Sequence, residues 1–461
     1  MKVQAIRRAK RSDVDMTTGG IAGNIIRFAL PLLLGNLFQQ LYNMVDTWVI
    51  GQTGQNEAYA AVGSVGPIIN ILIGFFLGLS SGAGVVISQH YGARNYGKVQ
   101  DAVHTSIAVT LIMGVVFTLL GLSITPLMLR FVFNTGDAVE VYPYARTYLL
   151  IYFSGVIGLM VYNMGAGILR AVGDSRRPFY FLVVSALLNI GLDLLFVFTL
   201  EMGVAGVALA TVISQCVSAL LTLIVLLRSD NCVKLTLRKL RIDREILKKI
   251  FKVGIPAALQ MAITAFSNVF VQGYIAGVNS DQTACLGGWT TYGKIDQFIF
   301  MPLQSLALAA TTFVGQNLGV GDIPRAKRGT HLAYGMATAS ALLLMGPVML
   351  FAPELARIFN PDPQVVRYAT MLLRTLTPFY LFCCVNQVFS GALRGAGNAR
   401  APMFIMLGSF VVFRQIYLFV ITHYVANEIL WVAMSYPAGW GMCATLTLIY
   451  YHRCRFDQKL V

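Results

Sequence analysis

The sequence predicts an all-α polytopic membrane protein, with twelve transmembrane helices forming two pseudo-symmetric six-helix bundles. Three observations carry that reading: a very apolar composition, an alternation of apolar runs with one-sided basic loops, and an internal repeat. Of the 461 residues, 56% are hydrophobic and 12% charged, and the mean hydropathy is +0.68. The charged share is about half that of a soluble domain, which excludes an ordinary soluble enzyme. The 35 Lys and Arg against 20 Asp and Glu give a formal charge of +15. In a soluble chain that excess would point to nucleic acid, whereas here the hydropathy points to lipid.

A bilayer core roughly 30 Å thick takes about 20 apolar residues per helical span. Apolar runs bounded by polar or Gly/Pro-rich breaks occur at 26–50, 58–88, 103–129, 142–168, 178–200, 203–227, 250–277, 284–315, 330–352, 365–392, 401–424 and 429–451. Each is expected to be a helix, because backbone in lipid must satisfy its own hydrogen bonds. The opening MKVQAIRRAKRSDVD is polar and basic without an apolar core, so no removable signal peptide is expected. Cys216, Cys232, Cys285, Cys383, Cys384, Cys443 and Cys454 are dispersed without a CxxC pair and read as packing residues.

Basic residues concentrate in alternate connections. One set holds Lys2, Arg7, Arg8, Lys10, Arg11 and Arg27, then Arg94 and Lys98, then Arg170, Arg176 and Arg177. It continues with the stretch from Arg228 to Lys252, then Arg325, Lys327 and Arg328, Arg394 and Arg400, and Arg453, Arg455 and Lys459. The opposite set carries Glu57, Asp137, Glu140, Glu201, Asp281, Glu354, Asp362 and Glu428 with few cations. By the positive-inside rule both termini are cytoplasmic, and the net charge reports orientation rather than a nucleic-acid partner.

GILRAVGDSRRP (167–178) recurs as GALRGAGNARAP (391–402), pairing Gly167 with Gly391, Leu169 with Leu393, Arg170 with Arg394, Gly173 with Gly397, Arg176 with Arg400 and Pro178 with Pro402. Pro31 with Pro256, Asn43 with Asn268, Gln89 with Gln316 and His104 with His331 keep nearly the same interval. The expected organisation is a cytoplasmic segment 1–25, a first bundle 26–228, a basic linker 229–249, a second bundle 250–452 and a tail 453–461. An even span count per half makes the repeat parallel, which in transporters puts the solute path at the repeat interface. The linker is expected to form a short amphipathic helix with a solvated, headgroup-facing charged side.

Two motif matches are better read as structure. Gly92-Ala-Arg-Asn-Tyr-Gly97-Lys98 has phosphate-loop spacing, but Val99 replaces the hydroxyl residue and no strand precedes it, so a helix–helix turn is expected. Gly78-Leu-Ser80-Ser-Gly82 fits a nucleophile elbow but lies mid-helix, where Gly74, Gly78 and Gly82 bare one face for close packing.

Ionisable groups inside apolar spans cost roughly 2.5–3.5 kcal/mol each and persist mainly where paired or functional. Gln39, Tyr42, Asn43 and Asp46 form one stripe on the first span; Asn189 and Asp193 share a face of the fifth, and Thr211 and Gln215 a face of the sixth. If these faces converge, two carboxylates meet in a dry site and must share a proton or hold a hard cation such as sodium. The plainer alternative places Asp46 near the outer interface or at a helix cap. The repeat sets Val271 opposite Asp46 and Tyr417 opposite Asp193, so the acid pair is one-sided. The second half has Lys294, Asp296, Arg374 and Arg414, read first as an internal ion-pair network and second as substrate or proton path.

FALPLLLGNLFQQLYNMVDTWVIG (28–51), the 167–178 motif, ALLNIGLDLLFVF (186–198), GVAGVALATVISQ (203–215), GIPAALQ (254–260), FIFMPLQSLALAATTFVGQNLG (298–319) and the 391–402 motif together resemble the multidrug and toxic compound extrusion (MATE) transporters, in detail the branch similar to the DNA-damage-inducible type. The resemblance implies export of amphipathic, often cationic compounds against protons or sodium. It implies a cation-coupling site, and a sodium site if sodium is the ion, at Asp46, Asn189, Asp193 and Thr211, with Gln39 lining the cavity. Tyr42, Asn43, Asn163 and Gln215 extend the expected cavity, with Tyr152, Met160, Tyr162, Met261 and Phe266 as a possible adaptable wall. Pro31 is the expected hinge of the first span. The seventh span has no acid between Lys252 and Asp281, unlike some members.

The expected protein is a monomeric secondary active antiporter of the cytoplasmic (inner) membrane. Its partners are small amphipathic molecules and lipid; it needs no cofactor beyond the coupling proton or sodium ion. A flippase for a lipid-linked precursor is the nearest alternative, with Lys294, Arg374 and Arg414 as candidate pyrophosphate ligands. A membrane enzyme lacks DDxxD, HExxH or a Ser/His/Asp set, and a channel lacks a filter motif.

Overall fold

Long apolar runs with few charges leave the backbone no partner but itself, and every element of regular structure among the described residues is helical. The computed structural model describes residues 14–52, 56–132, 138–278, 282–454 and 456. Lys2, Arg7, Arg8, Lys10, Arg11, Asp137, Asp281, Arg455 and Lys459 lie outside them.

The first seven helices are α1 (Ile21–Gly51), α2 (Asn56–Gly92), α3 (Tyr96–Val132), α4 (Ala138–Ser154), α5 (Val156–Ala171), α6 (Arg176–Asp193) and α7 (Gly203–Arg228). After a break come α8 (Arg244–Ala276), α9 (Gln282–Val320), α10 (Ile323–Leu350), α11 (Ala352–Phe359), α12 (Pro363–Leu376), α13 (Tyr380–Gly395), α14 (Arg400–Met406), α15 (Arg414–Tyr424), α16 (Ile429–Ala433) and α17 (Ser435–Arg453). Among the described residues ten helices are long and apolar enough to cross a membrane, or eleven with one bent pair counted as a span.

Two expected spans differ from that count. The run at 142–168 is the bent pair, α4 and α5, which turn by 49° around Gly155. A β-carbon at Gly155 would strike Val212, so the bend lets two helices approach closely. The run at 429–451 is split into α16 and α17. α17 is not among the candidate spans. Its Ser435, Pro437, Gly439, Gly441 and Thr447 dilute the apolar signal, and much of it is buried against neighbouring helices.

The chain divides into two compact units. The first holds Leu34–Phe251 together with Val14 and Asp15; the second holds Met16–Leu33 with Lys252 and the helices that follow. The first half of α1 therefore belongs with the second unit. Met16 explains part of that: fully buried, it donates its N–H to Gln316 Oε1 (3.2 Å) and accepts from Asn317 Nδ2 (3.1 Å). The change of unit falls between Leu33 and Leu34, just after Pro31, whose missing N–H frees a carbonyl one turn back.

Within each unit the duplicated motif makes the same seat. A β-carbon on Gly167 of α5 would meet Ser80 of α2, and one on Gly391 of α13 would meet the Ala307 carbonyl of α9. Ser80 Oγ donates across to the Asn163 carbonyl (2.7 Å), and Thr311 Oγ1 to the Gly391 carbonyl (2.9 Å). Ser80 is thus an interhelical tie. The phosphate-loop lookalike is the α2–α3 turn, with Arg94 at φ 56° and Asn95 Oδ1 accepting from the Lys98 N–H (3.3 Å).

The linker corrects an expectation. Before α8 begins at Arg244, its only helical element is a single 3-10 turn, Leu237–Lys239, and residues 244–249 are already the first turns of α8. Cys232, Val233 and Leu235 are buried in one apolar cluster with Ile246 and Ile250. The Thr236 N–H donates to His104 Nε2 (3.1 Å), and the Asp243 N–H to Thr105 Oγ1 (3.0 Å). Arg241 pairs with Asp101 (2.8 Å). Apolar burial and backbone hydrogen bonds dock the segment on α3, so only part of its charge is a solvated face. Asp243 caps α8 by accepting from the Glu245 and Ile246 N–H groups (2.9 and 3.1 Å). Those bonds, that from Ile246 foremost, hold its carboxyl below the usual carboxylate range. Cys216 is exposed and Cys454 intermediate, while the other five cysteines are buried.

Candidate functional site

Two helices supply the acid pair, and a third adds a hydroxyl beside it. On α1, Tyr42 and Asp46 stand one turn apart and both face inward, at 8% exposure each. On α6, Asn189 and Asp193 repeat that spacing and are almost wholly inaccessible, at 1% and 0%. Asp193 ends the α-helix; the next six residues, Leu194–Thr199, wind as a π-helix, a local widening common at functional positions. From α7 comes Thr211, whose hydroxyl donates to its own helix at the Val207 carbonyl (3.0 Å). The hydroxyl proton is thereby spent, and the oxygen's remaining lone pair is available to a cation.

Asp46 lies within hydrogen-bonding reach of both Asp193 and Thr211. Two ionised carboxylates about 4 Å apart repel by about 4 kcal/mol even at an effective dielectric constant of 20. Their contact becomes a hydrogen bond only when one carries a proton. Asp46 Oδ1, both Asp193 oxygens and both side-chain atoms of Asn189 are buried without a hydrogen-bond partner. Among the described residues no salt bridge joins either acid to a Lys, Arg or His. Buried acceptors in this state are costly unless a positive species satisfies them.

The site holds one group that sequence reasoning missed. Tyr148 of α4 is buried and reaches Thr211 with its hydroxyl. It stacks on Tyr152 with centroids 6.3 Å apart and planes at 11°. The four-residue spacing of the two tyrosines was the available signal. Tyr42 reaches Gln39 and Gln215, so these two expected cavity residues do join the cluster. Asn43 and Asn163 do not. Asn43 is on the exposed edge of the stripe, and Asn163 spends its amide on the Leu159 carbonyl (2.9 Å) at the α2–α5 crossing. Tyr152, Met160 and Tyr162 are core residues rather than an open wall. Phe266 is exposed, at 54%.

The donors gathered around the pair are all oxygens: Asp46, Asn189, Asp193 and Thr211. Hard monovalent cations prefer such a set. Among the described residues there is no group of three or more His, Cys, Asp or Glu that would hold a transition metal.

In the second unit the expected ion-pair network is absent: among the described residues no salt bridge joins Lys294, Asp296, Arg374 and Arg414. Arg414, 2% exposed, donates to the Phe410 carbonyl (3.0 Å), Ser267 Oγ (2.6 Å) and Asn268 Oδ1 (3.0 Å). Its guanidinium also sits 4.7 Å from the centre of the Tyr436 ring. Neutral oxygens and a π face thus stabilise this cation where an acid was expected. Asp296 accepts from the Tyr292 hydroxyl (3.3 Å) and from that of Tyr380. Lys294 is exposed over the Phe359 ring (5.7 Å), and Arg374 is exposed and donates to the Met349 carbonyl (3.3 Å). The three cations have separate partners, so the pyrophosphate-ligand reading loses its basis. Val271, opposite Asp46 in the repeat, is buried in the apolar core.

Duplicated helical units, each built of spans, with an acid pair buried in one of them, define the class of polytopic membrane transporters. The MatE family model matches the chain twice, over residues 31–195 and 256–420, and the protein belongs to that family. The two matches begin at Pro31 and Pro256, a pair that the internal repeat aligns. Members of this family are transporters rather than enzymes. The chain is 28% identical to the probable multidrug resistance protein YoeA of Bacillus subtilis, covering 92% of each sequence. It is 27% identical to the probable multidrug resistance protein NorM of Thermotoga maritima, covering 96% of this chain and 94% of that one. Its fold matches the outward-facing structure of a multidrug resistance MATE family transporter of the MOP superfamily with a TM-score of 0.90, at 25% identity over 97% of this chain and 98% of that chain.

Proposed function

We propose that this protein is a secondary active antiporter that exports amphipathic, cationic compounds and is driven by protons or sodium bound at Asp46 and Asp193. The observation that carries the reading is the facing pair of buried carboxylates with orphaned oxygens, which no salt bridge among the described residues joins to a fixed cation. A visiting ion supplies the missing charge. The multidrug names of its relatives support the substrate class, and the one-sided basic loops support an inner-membrane orientation with both termini in the cytoplasm.

Coupling requires that the ion bind one state of the transporter more tightly than the other, since equal binding shifts no equilibrium. Asp46 lies on the half of α1 that packs in the first unit, and the other half of the same helix packs in the second. Charge neutralisation at Asp46 thus acts on the helix that passes through both units, with Pro31 close to the change-over. The test is export of a dye from proteoliposomes under an imposed proton or sodium gradient. Asp46→Asn and Asp193→Asn are expected to lose at least 90% of gradient-driven export, roughly the tenfold that 1.4 kcal/mol represents. Export at the wild-type rate in both variants would remove the pair from the mechanism.

A further inference from the structure

Asn386, Ser390 and Arg394 stand four residues apart on α13 and so form one polar stripe along a largely buried helix. Each ends in an orphaned atom: Asn386 Oδ1, Ser390 Oγ and Arg394 Nε are buried without a hydrogen-bond partner. Ser390 is 1% exposed and Arg394 only 9%. Two ties to α17 bracket the stripe, one from Asn386 Nδ2 to the Trp440 carbonyl (3.2 Å) and one from Asn398 Nδ2 to the Tyr450 hydroxyl (2.7 Å).

The usual remedies for a buried guanidinium are not at work. Among the described residues no salt bridge joins Arg394 to an acid. The carbonyls at a helix C-terminus often hold a cation, but the following turn has claimed these. Those of Ala392, Leu393 and Arg394 accept from the Ala396, Asn398 and Gly397 N–H groups (3.0, 2.9 and 2.8 Å). Water would satisfy the orphaned N–H and hydroxyl, yet it would leave a full positive charge uncompensated in the interior. The repeat sharpens the point. At the interval of the duplicated motif, Asn386, Ser390 and Arg394 correspond to Tyr162, Ala166 and Arg170. The Tyr162 hydroxyl donates to the Pro178 carbonyl (3.3 Å), Ala166 has no polar group, and Arg170 is only half-buried. The second copy alone encloses the guanidinium and sets a hydroxyl one turn away.

We propose that Ser390 and Arg394 form a binding site for a small monovalent anion of halide size, at the end of the second unit that the basic connections assign to the cytoplasm. The Ser390 O–H and the Arg394 Nε–H are both donors on one face, and the guanidinium supplies the countercharge. Asn386, whose amide N–H is spent on Trp440, offers only an oxygen and so sets the inner limit of the site. The site uses neither Asp46 nor Asp193, so it stands or falls apart from the export reading.

The experiment is a chloride titration of the purified full chain in gluconate buffer and detergent, read by the chloride NMR linewidth. Wild type should show broadening that saturates and that bromide displaces, and Arg394→Gln should show no saturable part. Ser390→Ala puts the first unit's residue at this place and should weaken chloride about tenfold, the worth of a hydrogen bond to a charged partner. Arg374→Gln, which removes an exposed cation of the same unit, should leave the titration unchanged. Broadening without saturation in wild type, or a chloride affinity in Ser390→Ala within about threefold of wild type, overturns the proposal. An equal loss in Arg374→Gln overturns it too, because chloride would then only gather around net positive charge. Thermal unfolding gives a second reading that needs no Arg394 variant. Chloride in place of gluconate should raise the unfolding temperature of wild type more than that of Ser390→Ala. In gluconate Ser390→Ala should be no less stable than wild type, since it deletes an unpaired buried hydroxyl. A loss of stability there would make the hydroxyl a structural tie and sink the site.

Discussion

The two units share a skeleton and differ in where they keep charge. In the first, two acids on α1 and α6 face one another with three of their four oxygens lacking a hydrogen-bond partner, and the π-helical turn begins directly after Asp193. In the second, the corresponding helix has its own π-helical turn, Leu407–Phe413, which ends directly before a cation, Arg414. Its acid within a long membrane helix, Asp296, stands on α9 and already holds two phenols. Duplication thus retained the features set by helix contact, such as the glycine seats. The buried charges diverged, because a buried charge is tolerated only when its own partners evolve with it. An acid pair left short of positive charge suits an ion that comes and goes, whereas a saturated guanidinium suits permanence.

Exchanging one half's chemistry for neutrality is the strongest way to break this comparison. Asp193→Asn is expected to abolish gradient coupling, whereas Asp296→Asn should leave the response to the coupling ion intact. Export assayed at matched dye occupancy distinguishes the two, and equal loss of ion response in both variants would erase the contrast.

A smaller effect probes the shared skeleton. Gly391→Ala drives a β-carbon into the Ala307 backbone carbonyl, whereas Gly167→Ala meets the Ser80 side chain, which can rotate away. Overpacking of this kind costs about 1–3 kcal/mol, so Gly391→Ala should lower the unfolding temperature in detergent more than Gly167→Ala. The reverse order would contradict this account of what each glycine faces.

Much of this was legible in the sequence. Asp46, Asn189, Asp193 and Thr211 declared themselves because four-residue spacing puts polar groups on one helix face and lipid penalises each one. The repeat was legible through its glycines and prolines, whose backbone roles tolerate little substitution. What stayed hidden depended on partners rather than on residue type. Arg414 reads as a salt-bridge cation until Ser267, Asn268 and Tyr436 are seen around it. Asn43 and Asn163 are as polar as Asn189, yet one faces outward and the other serves its own helix. The linker's Cys232, Val233 and Leu235 are too few to give a periodic signal, although they anchor it. The run at 429–451 was legible as a span, although α17 within it carries Ser435, Pro437, Gly439, Gly441 and Thr447.

The smallest expected effect concerns that linker, which belongs to the first unit. Asp243→Ala removes the α8 cap and should cost about 1 kcal/mol. Because the folded carboxyl is held below its ordinary range, the cap's contribution is present above the unfolded pKa and is lost as pH falls through the folded one. The stability gap between wild type and Asp243→Ala, followed by thermal unfolding, should therefore narrow on acidification. A gap that widened would deny the cap its role.

The central claim is that the first unit's acid pair is the seat of the coupling ion, and ion exchange on the purified protein addresses it most directly. In weakly buffered detergent solution, addition of substrate should release protons, or displace radioactive sodium, from wild type and from Asp296→Asn. Asp46→Asn and Asp193→Asn should release neither. Ion release of wild-type size from the Asp46→Asn/Asp193→Asn double variant would contradict the account.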